Sequence, residues 1–121
     1  MVNIWYIEKV MRGTGGGRKL GFPTINLDPD RFIGELKEGV YSAEVEYKKK
    51  SYLGALYFGP RFINDEIKPI LEIYIIDFEK TIYGETVEFK IGEYIREAKK
   101  FKTLESLKKQ IKKDVEKIRS L

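Results

Sequence analysis

The chain has 121 residues, the size of one ordinary domain, and its 42% hydrophobic and 35% charged residues exclude the disordered and membrane-embedded classes. It contains neither Cys nor His, which excludes disulfides, thiolate nucleophiles, Cys-ligated metals and the Ser-His-Asp triad. Acid–base chemistry must therefore come from Asp, Glu, Lys or Tyr. No segment reaches the run of about 18 apolar residues that spans a bilayer, so we expect a single cytoplasmic domain over residues 1–121.

Positive charge is concentrated at the C-terminal end of the chain. The net charge is +4, and residues 99–121 alone contain nine Lys or Arg against three Asp or Glu. This pattern is typical of the solvated face of one charged helix, and it also occurs on surfaces that bind nucleic acid. The solvated face is the simpler interpretation, so we do not expect a nucleic-acid partner.

About six short strands are indicated by β-prone composition, alternation of apolar and polar residues, and turn residues between the segments. The exposed triplet Lys48-Lys49-Lys50 indicates a hairpin tip between two of them. The clearest strand candidates are Ile4–Met11, Val40–Tyr47, Ser51–Phe58, Ile70–Phe78 and Thr86–Ile91, and the other turns and loops are expected at Asp28-Pro29-Asp30, Gly59–Pro69, Glu79-Lys80 and Gly84-Glu85.

The hydrophobic period changes to that of a helix after Thr103, which is a plausible N-cap. The apolar residues at helical spacing are Leu104, Leu107, Ile111, Val115 and Ile118. We expect a helix of roughly four to five turns with one apolar stripe. Strands joined by tight turns predict an antiparallel barrel or sandwich, and the helix would lie against its outside or over one end.

A glycine-rich segment follows the first strand candidate. Five of the eleven glycines fall within residues 12–27, together with Arg18 and Lys19. Glycines allow backbone N–H groups to converge on an anion, and the two cations would favour phosphates. The spacing matches neither a Walker A loop nor Gly-x-Gly-x-x-Gly, and composition alone is more typical of a flexible hairpin.

Thr24 and Asn26 follow that segment and lie two residues apart, so they face the same side of an extended chain. Pro23 restricts the backbone before them. A hydroxyl and an amide oxygen are hard ligands that can hold Mg²⁺ together with phosphate oxygens and waters. The alternative is that both side chains make hydrogen bonds within a turn.

Glu72 interrupts an apolar strand candidate and shares one face with Ile70, Tyr74 and Ile76. A carboxylate among apolar side chains is costly unless it is paired or used, and burial would raise its pKa towards neutrality. That shift suits a general base. The alternative is an outward-facing Glu paired with a neighbouring Lys or Arg.

Residues 17–27, Gly-Arg-Lys-Leu-Gly-Phe-Pro-Thr-Ile-Asn-Leu, resemble the signature of the riboflavin kinase family, which also supplies the kinase half of bifunctional bacterial FAD synthetases. Further similarities follow in the family's order and extend the resemblance over essentially the whole chain. They lie at Lys37–Tyr41, Leu71–Phe78, Ile82–Gly84, Ile95–Phe101 and Leu104–Asp114.

The resemblance implies a mainly β fold, a six-stranded antiparallel Greek-key barrel with a C-terminal α-helix packed on the outside. It implies Mg²⁺-dependent transfer of the ATP γ-phosphate to the ribityl 5′-hydroxyl of riboflavin, giving FMN and ADP. A closed barrel lacks the open sheet edges that invite pairing, so we expect a monomer. By position, Glu72 would be the base, Thr24 and Asn26 would bind Mg²⁺, and Arg96 would contact the flavin. The nucleotide would be bound by Gly13, Gly15, Gly17, Arg18, Lys19, Gly21, Pro23, Thr24, Asn26 and Tyr83.

One segment departs from the family pattern. The family usually has Asn-x-Gly-x-Arg-Pro-Thr before the catalytic strand, and residues 57–63 here are Tyr-Phe-Gly-Pro-Arg-Phe-Ile. Gly59 and Arg61 match, whereas Tyr57, Phe62 and Ile63 replace polar groups. The departure leaves open a barrel that binds a flavin or nucleotide without turnover. A barrel that binds RNA through its basic helix is a third hypothesis.

Overall fold

We analysed a computed structural model, in which residues 3–12, 21–61 and 68–121 are described. Within these residues the chain forms a six-stranded antiparallel sheet followed by one α-helix. The strands are β1 (Trp5–Lys9), β2 (Ile25–Leu27), β3 (Gly39–Tyr47), β4 (Lys50–Pro60), β5 (Pro69–Ile75) and β6 (Thr86–Glu97), and the helix is α1 (Leu104–Arg119). A short 3₁₀ turn at Asp30–Phe32 follows β2.

The strands lie in the order β1-β6-β3-β4-β5-β2. Three consecutive strands, β3, β4 and β5, are neighbours, and β6 returns to pair with β3, which is the Greek-key arrangement. The sheet curves into a half-barrel. A bridge between Met11 and Asn26 links the chain just after β1 to β2, so the two outer strands of the sheet approach each other there. The predicted mainly β fold with a C-terminal helix is confirmed.

The core lies on the inner face of the curved sheet, because alternate residues of each strand point to opposite sides. On β5 the inward residues are Leu71, Ile73 and Ile75, each at most 2% exposed. The largest buried side chains of the cluster come from several strands and include Phe58, Phe89, Leu27 and Leu56. This core fixes which residues of β5 face outwards, and Glu72 is one of them.

The helix α1 packs against β4 and β6. Its N-cap is Thr103, as predicted, and the Thr103 side chain accepts a hydrogen bond from the Ser106 N–H. Ile118 on α1 and Val40 on β3 are buried but lie outside the inner core cluster, which places the helix on the other face of the sheet. None of the helices in the described part of the chain is long and apolar enough to cross a membrane.

The strand β6 is twice as long as its pattern predicted, because it continues past Ile91 to Glu97. Two of its residues, Gly92 and Glu93, oppose the single residue Ser42 of β3, which is a β-bulge. The Ser42 hydroxyl accepts a hydrogen bond from the Glu93 N–H at 2.8 Å, and a Cβ on Gly92 would lie 2.4 Å from Ser42 Oγ. The bulge breaks the alternation without ending the pairing.

The strand β5 ends at Ile75, earlier than the predicted Phe78, because Asp77 turns the chain with a positive φ of 62°. At the other end, Gly59 and Pro60 belong to β4 and pair with Ile70 and Pro69, so the connection between these strands begins later than predicted. The hairpin tip is confirmed, with Lys48 and Lys49 in the left-handed region.

Candidate active site

A row of side chains crosses the sheet from its β2 edge to the region under the helix. Cross-strand pairing places Asn26 opposite Glu72, Glu72 opposite Tyr57, Tyr57 opposite Val40, and Val40 opposite Arg96. Directly opposed residues share one face of a sheet. Three sequence-predicted site residues, Asn26, Glu72 and Arg96, therefore lie on one face.

Glu72 is half-buried in this row and is held by a residue from the chain just before β2. The Thr24 hydroxyl donates a hydrogen bond to Glu72 Oε2 at 2.9 Å. Burial raises the pKa of Glu72 above its ordinary value, while the Thr24 hydrogen bond and the positive charge of Arg61 act in the opposite direction. The net effect favours a carboxyl group that takes up a proton more readily than an exposed Glu.

The other carboxylate oxygen, Glu72 Oε1, accepts no hydrogen bond from the described residues. A half-buried carboxylate with one oxygen fixed and the other available can accept a proton from a bound hydroxyl group. This arrangement favours the general-base interpretation of Glu72. The paired-surface alternative is weakened, because Glu72 has no ion pair within 4 Å among the described residues and Arg61 acts on it only at longer range.

Thr24 and Asn26 both lie on the β2 side of the Glu72 carboxylate and provide a donor set that fits Mg²⁺. The Thr24 hydroxyl gives its proton to Glu72, so its oxygen lone pairs remain available. The Asn26 side chain makes no hydrogen bond to the rest of the described chain. The described residues hold no cluster of three or more acidic side chains, so a metal here would take the rest of its oxygen ligands from a phosphate and water.

A cavity of about 310 Å³ opens beside Thr24. Its walls include the predicted nucleotide-binding residues Pro23, Thr24 and Tyr83 and the apolar side chains of Ile75 and Phe78. The guanidinium of Arg12 lies over the Tyr83 ring, 4.8 Å from its centroid. The walls mix apolar and polar side chains, and such a lining suits an aromatic ligand that also carries polar groups.

The remaining predicted nucleotide contacts are only partly described. Gly21 lies in a turn with φ of 83°, a conformation that favours glycine, and it leads directly into Phe22 and the Thr24 segment. Gly13, Gly15, Gly17, Arg18 and Lys19 lie outside the described residues.

Arg96, the predicted flavin contact, is engaged with the helix. Its Nε donates to both carboxylate oxygens of Asp114, at 2.9 and 3.0 Å, and Gln110 donates to the same carboxylate. Its guanidinium also lies over the Phe101 ring, with 5.6 Å to the centroid. Three strand spacings of roughly 4.8 Å each separate Arg96 from Glu72 along the row, so the two do not touch.

Sequence reasoning missed two neighbours of Glu72. It noted Tyr57 only as a departure from a family pattern and Arg61 only as a match to it, yet Tyr57 is the direct partner of Glu72 on β4. Burial, with the negative charges of Glu38 and Glu72, raises the pKa of Tyr57 to about 12, and Arg96 opposes the shift. The register between β4 and β5 was the signal needed, and a single sequence does not contain it.

Comparison with known proteins gives a consistent result. A family model described as riboflavin kinase matches residues 3–121. The RNA-binding riboflavin kinase RibR of Bacillus subtilis is 42% identical over 107 residues, which are 88% of this chain and 46% of that protein. The bifunctional riboflavin kinase/FMN adenylyltransferase of Haemophilus influenzae is 37% identical over 109 residues, which are 89% of this chain and 35% of that protein.

A solved structure is also similar. The crystal structure of riboflavin kinase from Trypanosoma brucei aligns with a TM-score of 0.67 and 26% identity, and the alignment covers 96% of this chain and 77% of that one. The chain spans less than half the length of each of these two curated relatives.

Proposed function

Because the chain belongs to the riboflavin kinase family, we propose that it transfers the γ-phosphate of ATP to the ribityl 5′-hydroxyl of riboflavin, giving FMN and ADP. The observation that carries this proposal is the Thr24–Glu72 pair: a half-buried carboxylate with a raised pKa, fixed by a hydroxyl group that also lines a cavity. Phosphoryl transfer depends on positioning, charge neutralisation and a base, and it needs neither His nor Cys.

In the proposed reaction Glu72 Oε1 accepts the proton of the riboflavin 5′-hydroxyl. The hydroxyl oxygen forms a bond to the γ-phosphorus as the bond from that phosphorus to the β,γ-bridging oxygen breaks, and ADP departs with the electron pair. The Thr24 hydrogen bond holds Glu72 Oε2, so the carboxylate presents its other oxygen to the acceptor. The raised pKa makes Glu72 a better proton acceptor than an exposed Glu at the same pH.

Thr24 and Asn26 would hold Mg²⁺ through the hydroxyl and amide oxygens described above. When bound, Mg²⁺ supplies positive charge that offsets the negative charge of the phosphates. Pro23 and Tyr83 would contact the nucleotide in the cavity beside Thr24, and Gly13, Gly15, Gly17, Arg18, Lys19 and Gly21 would cover its phosphates. Arg96 would contact the flavin. A monomeric, cytoplasmic domain over residues 1–121 completes the proposal.

A second candidate function is a barrel that binds flavin or nucleotide without turnover. The observation that favours it is Tyr57, a bulky and neutral phenol directly beside the base. The presence of Glu72 and Thr24 in hydrogen-bonded geometry favours the kinase, because a binding module has no need of a carboxylate in this position.

The test is FMN formation from riboflavin and ATP by the purified protein, followed by chromatography with and without Mg²⁺. The kinase hypothesis expects FMN only when Mg²⁺ is supplied. Riboflavin binding by fluorescence quenching without FMN would support the binding barrel. If a protein shown by its thermal transition to be folded binds neither riboflavin nor ADP and forms no FMN, both functions are contradicted.

A further inference from the structure

The side of Glu72 from which each substrate must approach follows from the sheet. Asn26 and Thr24 lie on the β2 side of Glu72, and the cavity beside Thr24 opens along this edge of the sheet. In phosphoryl transfer the attacking and leaving oxygens lie roughly in line on opposite sides of the phosphorus. With the nucleotide on the β2 side, the acceptor hydroxyl reaches Glu72 from the β4 side.

Tyr57 is the first side chain on that β4 side. It is the direct cross-strand partner of Glu72, and directly opposed residues have Cβ atoms roughly 5 Å apart. The acceptor must place its terminal hydroxyl within hydrogen-bond reach of Glu72. The part of the acceptor that passes Tyr57 is therefore the stretch next to that hydroxyl.

The Tyr57 side chain is held in one orientation by its own strand. Its hydroxyl donates a hydrogen bond of 2.6 Å to the Pro60 carbonyl, three residues further along the chain. The ring crosses over Gly59, where an added Cβ would lie 3.0 Å from the Tyr57 hydroxyl oxygen and 3.4 Å from the Ala98 Cβ. A ring fixed in this way forms a wall and does not have to be ordered when a ligand binds.

The chemistry of this wall suits an uncharged polyol. The Tyr57 phenol is neutral over the ordinary pH range, and its donor is committed to Pro60, so its oxygen is left as an acceptor. A ligand hydroxyl can donate to that oxygen, and the apolar ring can cover the carbon chain. Glu38 and Arg96 beyond it carry opposite charges, so the position has no strong preference for a charged ligand.

We propose that Tyr57 is a specificity-determining residue that orients the polyol end of the acceptor at Glu72, and this rests on the proposed riboflavin kinase activity. The assignment distinguishes the ribityl chain from the isoalloxazine ring system. The ring system would lie beyond the ribityl chain, farther from Glu72 than the Tyr57 ring.

The experiment compares riboflavin with lumiflavin, which has the isoalloxazine ring system and no polyol. Fluorescence quenching gives the dissociation constant of each flavin for the wild type, Tyr57→Ala and Tyr57→Phe. The matched control is Tyr6→Phe, because Tyr6 lies on β1 and makes ring contacts in the core, away from the proposed site. Binding of ADP and a thermal transition are measured on every variant.

For Tyr57→Ala, riboflavin affinity should fall by roughly tenfold, the loss expected when a buried ring contact is removed, while lumiflavin and ADP affinities change by less than about twofold. For Tyr57→Phe, which loses only the acceptor oxygen and the bond to Pro60, the loss of riboflavin affinity should be smaller, about threefold. Tyr6→Phe should leave all three affinities unchanged.

An equal loss for riboflavin and lumiflavin would overturn the assignment, because it would place Tyr57 against the ring system. Unchanged riboflavin affinity in both Tyr57 variants would also overturn it. If the wild type forms no FMN, the proposed kinase activity fails. A selective loss of riboflavin binding in Tyr57→Ala would still uphold the role of Tyr57, so the two failures are distinguishable.

Discussion

Glu72 and Arg96 lie in the same row across the sheet, and each belongs to a cluster built around a carboxylate. The two carboxylates, those of Glu72 and of Asp114 beside Arg96, differ in how many hydrogen bonds they accept. Asp114 belongs to α1, is 4% exposed, and its carboxylate accepts two hydrogen bonds from Arg96 and one from Gln110. The Glu72 carboxylate accepts one hydrogen bond, from Thr24, and its burial raises its pKa. Both oxygens of the Asp114 carboxylate on α1 therefore accept hydrogen bonds, whereas one oxygen of the Glu72 carboxylate on β5 accepts none from the described residues.

The difference indicates what each cluster contributes. Asp114 is a buried carboxylate whose two oxygens both accept hydrogen bonds, so it links α1 to β6 and has no oxygen available for a substrate. A carboxylate with a free oxygen, beside a cavity, is costly to the fold and useful to a reaction. Changes at Glu72 should therefore alter turnover, and changes at Asp114 should alter stability.

The largest expected effect is on turnover. Replacing Glu72 with Gln keeps the shape and the hydrogen bond from Thr24 but removes the proton acceptor. We expect the rate of FMN formation to fall by roughly hundredfold or more, the usual contribution of a general base. ADP binding, measured by calorimetry, should be unchanged. A rate close to that of the wild type would remove Glu72 as the base.

The next largest effect is on stability. Replacing Asp114 with Asn leaves the Arg96 guanidinium without its counter-ion, and the side chains of the pair are only 18% and 5% exposed. We expect the free energy of unfolding in urea to fall by about 3 kcal/mol, the lower end of the cost of breaking a buried pair.

The matched control for that prediction is Asp77→Asn. Arg119 also binds Asp77 through two hydrogen bonds, but this pair is on the surface, with 50% and 73% of the side chains exposed. Surface pairs contribute little to stability, and Asn tolerates the left-handed backbone at this position. Equal urea midpoints for Asp114→Asn and the wild type would contradict a structural role for the buried pair.

Replacing Thr24 should have an intermediate effect, and the quantity affected should be the affinity for the nucleotide. Thr24→Ala removes the hydrogen bond to a carboxylate and the proposed metal ligand, so Mg-ATP binding should weaken by roughly ten- to hundredfold. Thr24→Ser keeps the hydroxyl and should recover most of the affinity. Riboflavin binding should change much less in both variants. An unaltered Mg²⁺ dependence in Thr24→Ala would contradict the proposed ligand role.

The smallest expected effect is a shift in the pH dependence of the rate of FMN formation. A base must be deprotonated to act, and burial raises the pKa of Glu72 above its ordinary value. The rate of FMN formation should therefore fall on the acid side at a pH above the ordinary titration range of Glu. Arg61→Ala removes a charge that lowers this pKa, so the acid limb should move further towards neutral pH. A profile that stays flat down to the ordinary Glu range would contradict the assignment.

Much of the fold could be predicted from local patterns in the sequence. The alternation in Val40–Tyr47 and the apolar spacing after Thr103 gave β3 and α1 because local propensity and burial agree there. The length of β6 could not be predicted, since its bulge at Gly92 and Glu93 exists only through the pairing with Ser42.

The site was predictable to the extent that it lies in contiguous sequence. Thr24 and Asn26 are neighbours in the chain, and Glu72 is conspicuous in an apolar strand, so all three could be singled out. Tyr57 and Arg61 become neighbours of Glu72 only through the register of β4 and β5. The engagement of Arg96 with Asp114 likewise depends on where the helix packs.

The measurement that tests the comparison most directly is the free energy of unfolding of Glu72→Gln in mildly alkaline buffer. A carboxyl group with a raised pKa in the folded protein supports the fold while it is protonated, and that support is lost as the pH rises through the raised pKa. Above it, a neutral Gln should make the protein at least as stable as the wild type. A loss of stability similar to that of Asp114→Asn would show that Glu72 serves the fold, and would contradict the account.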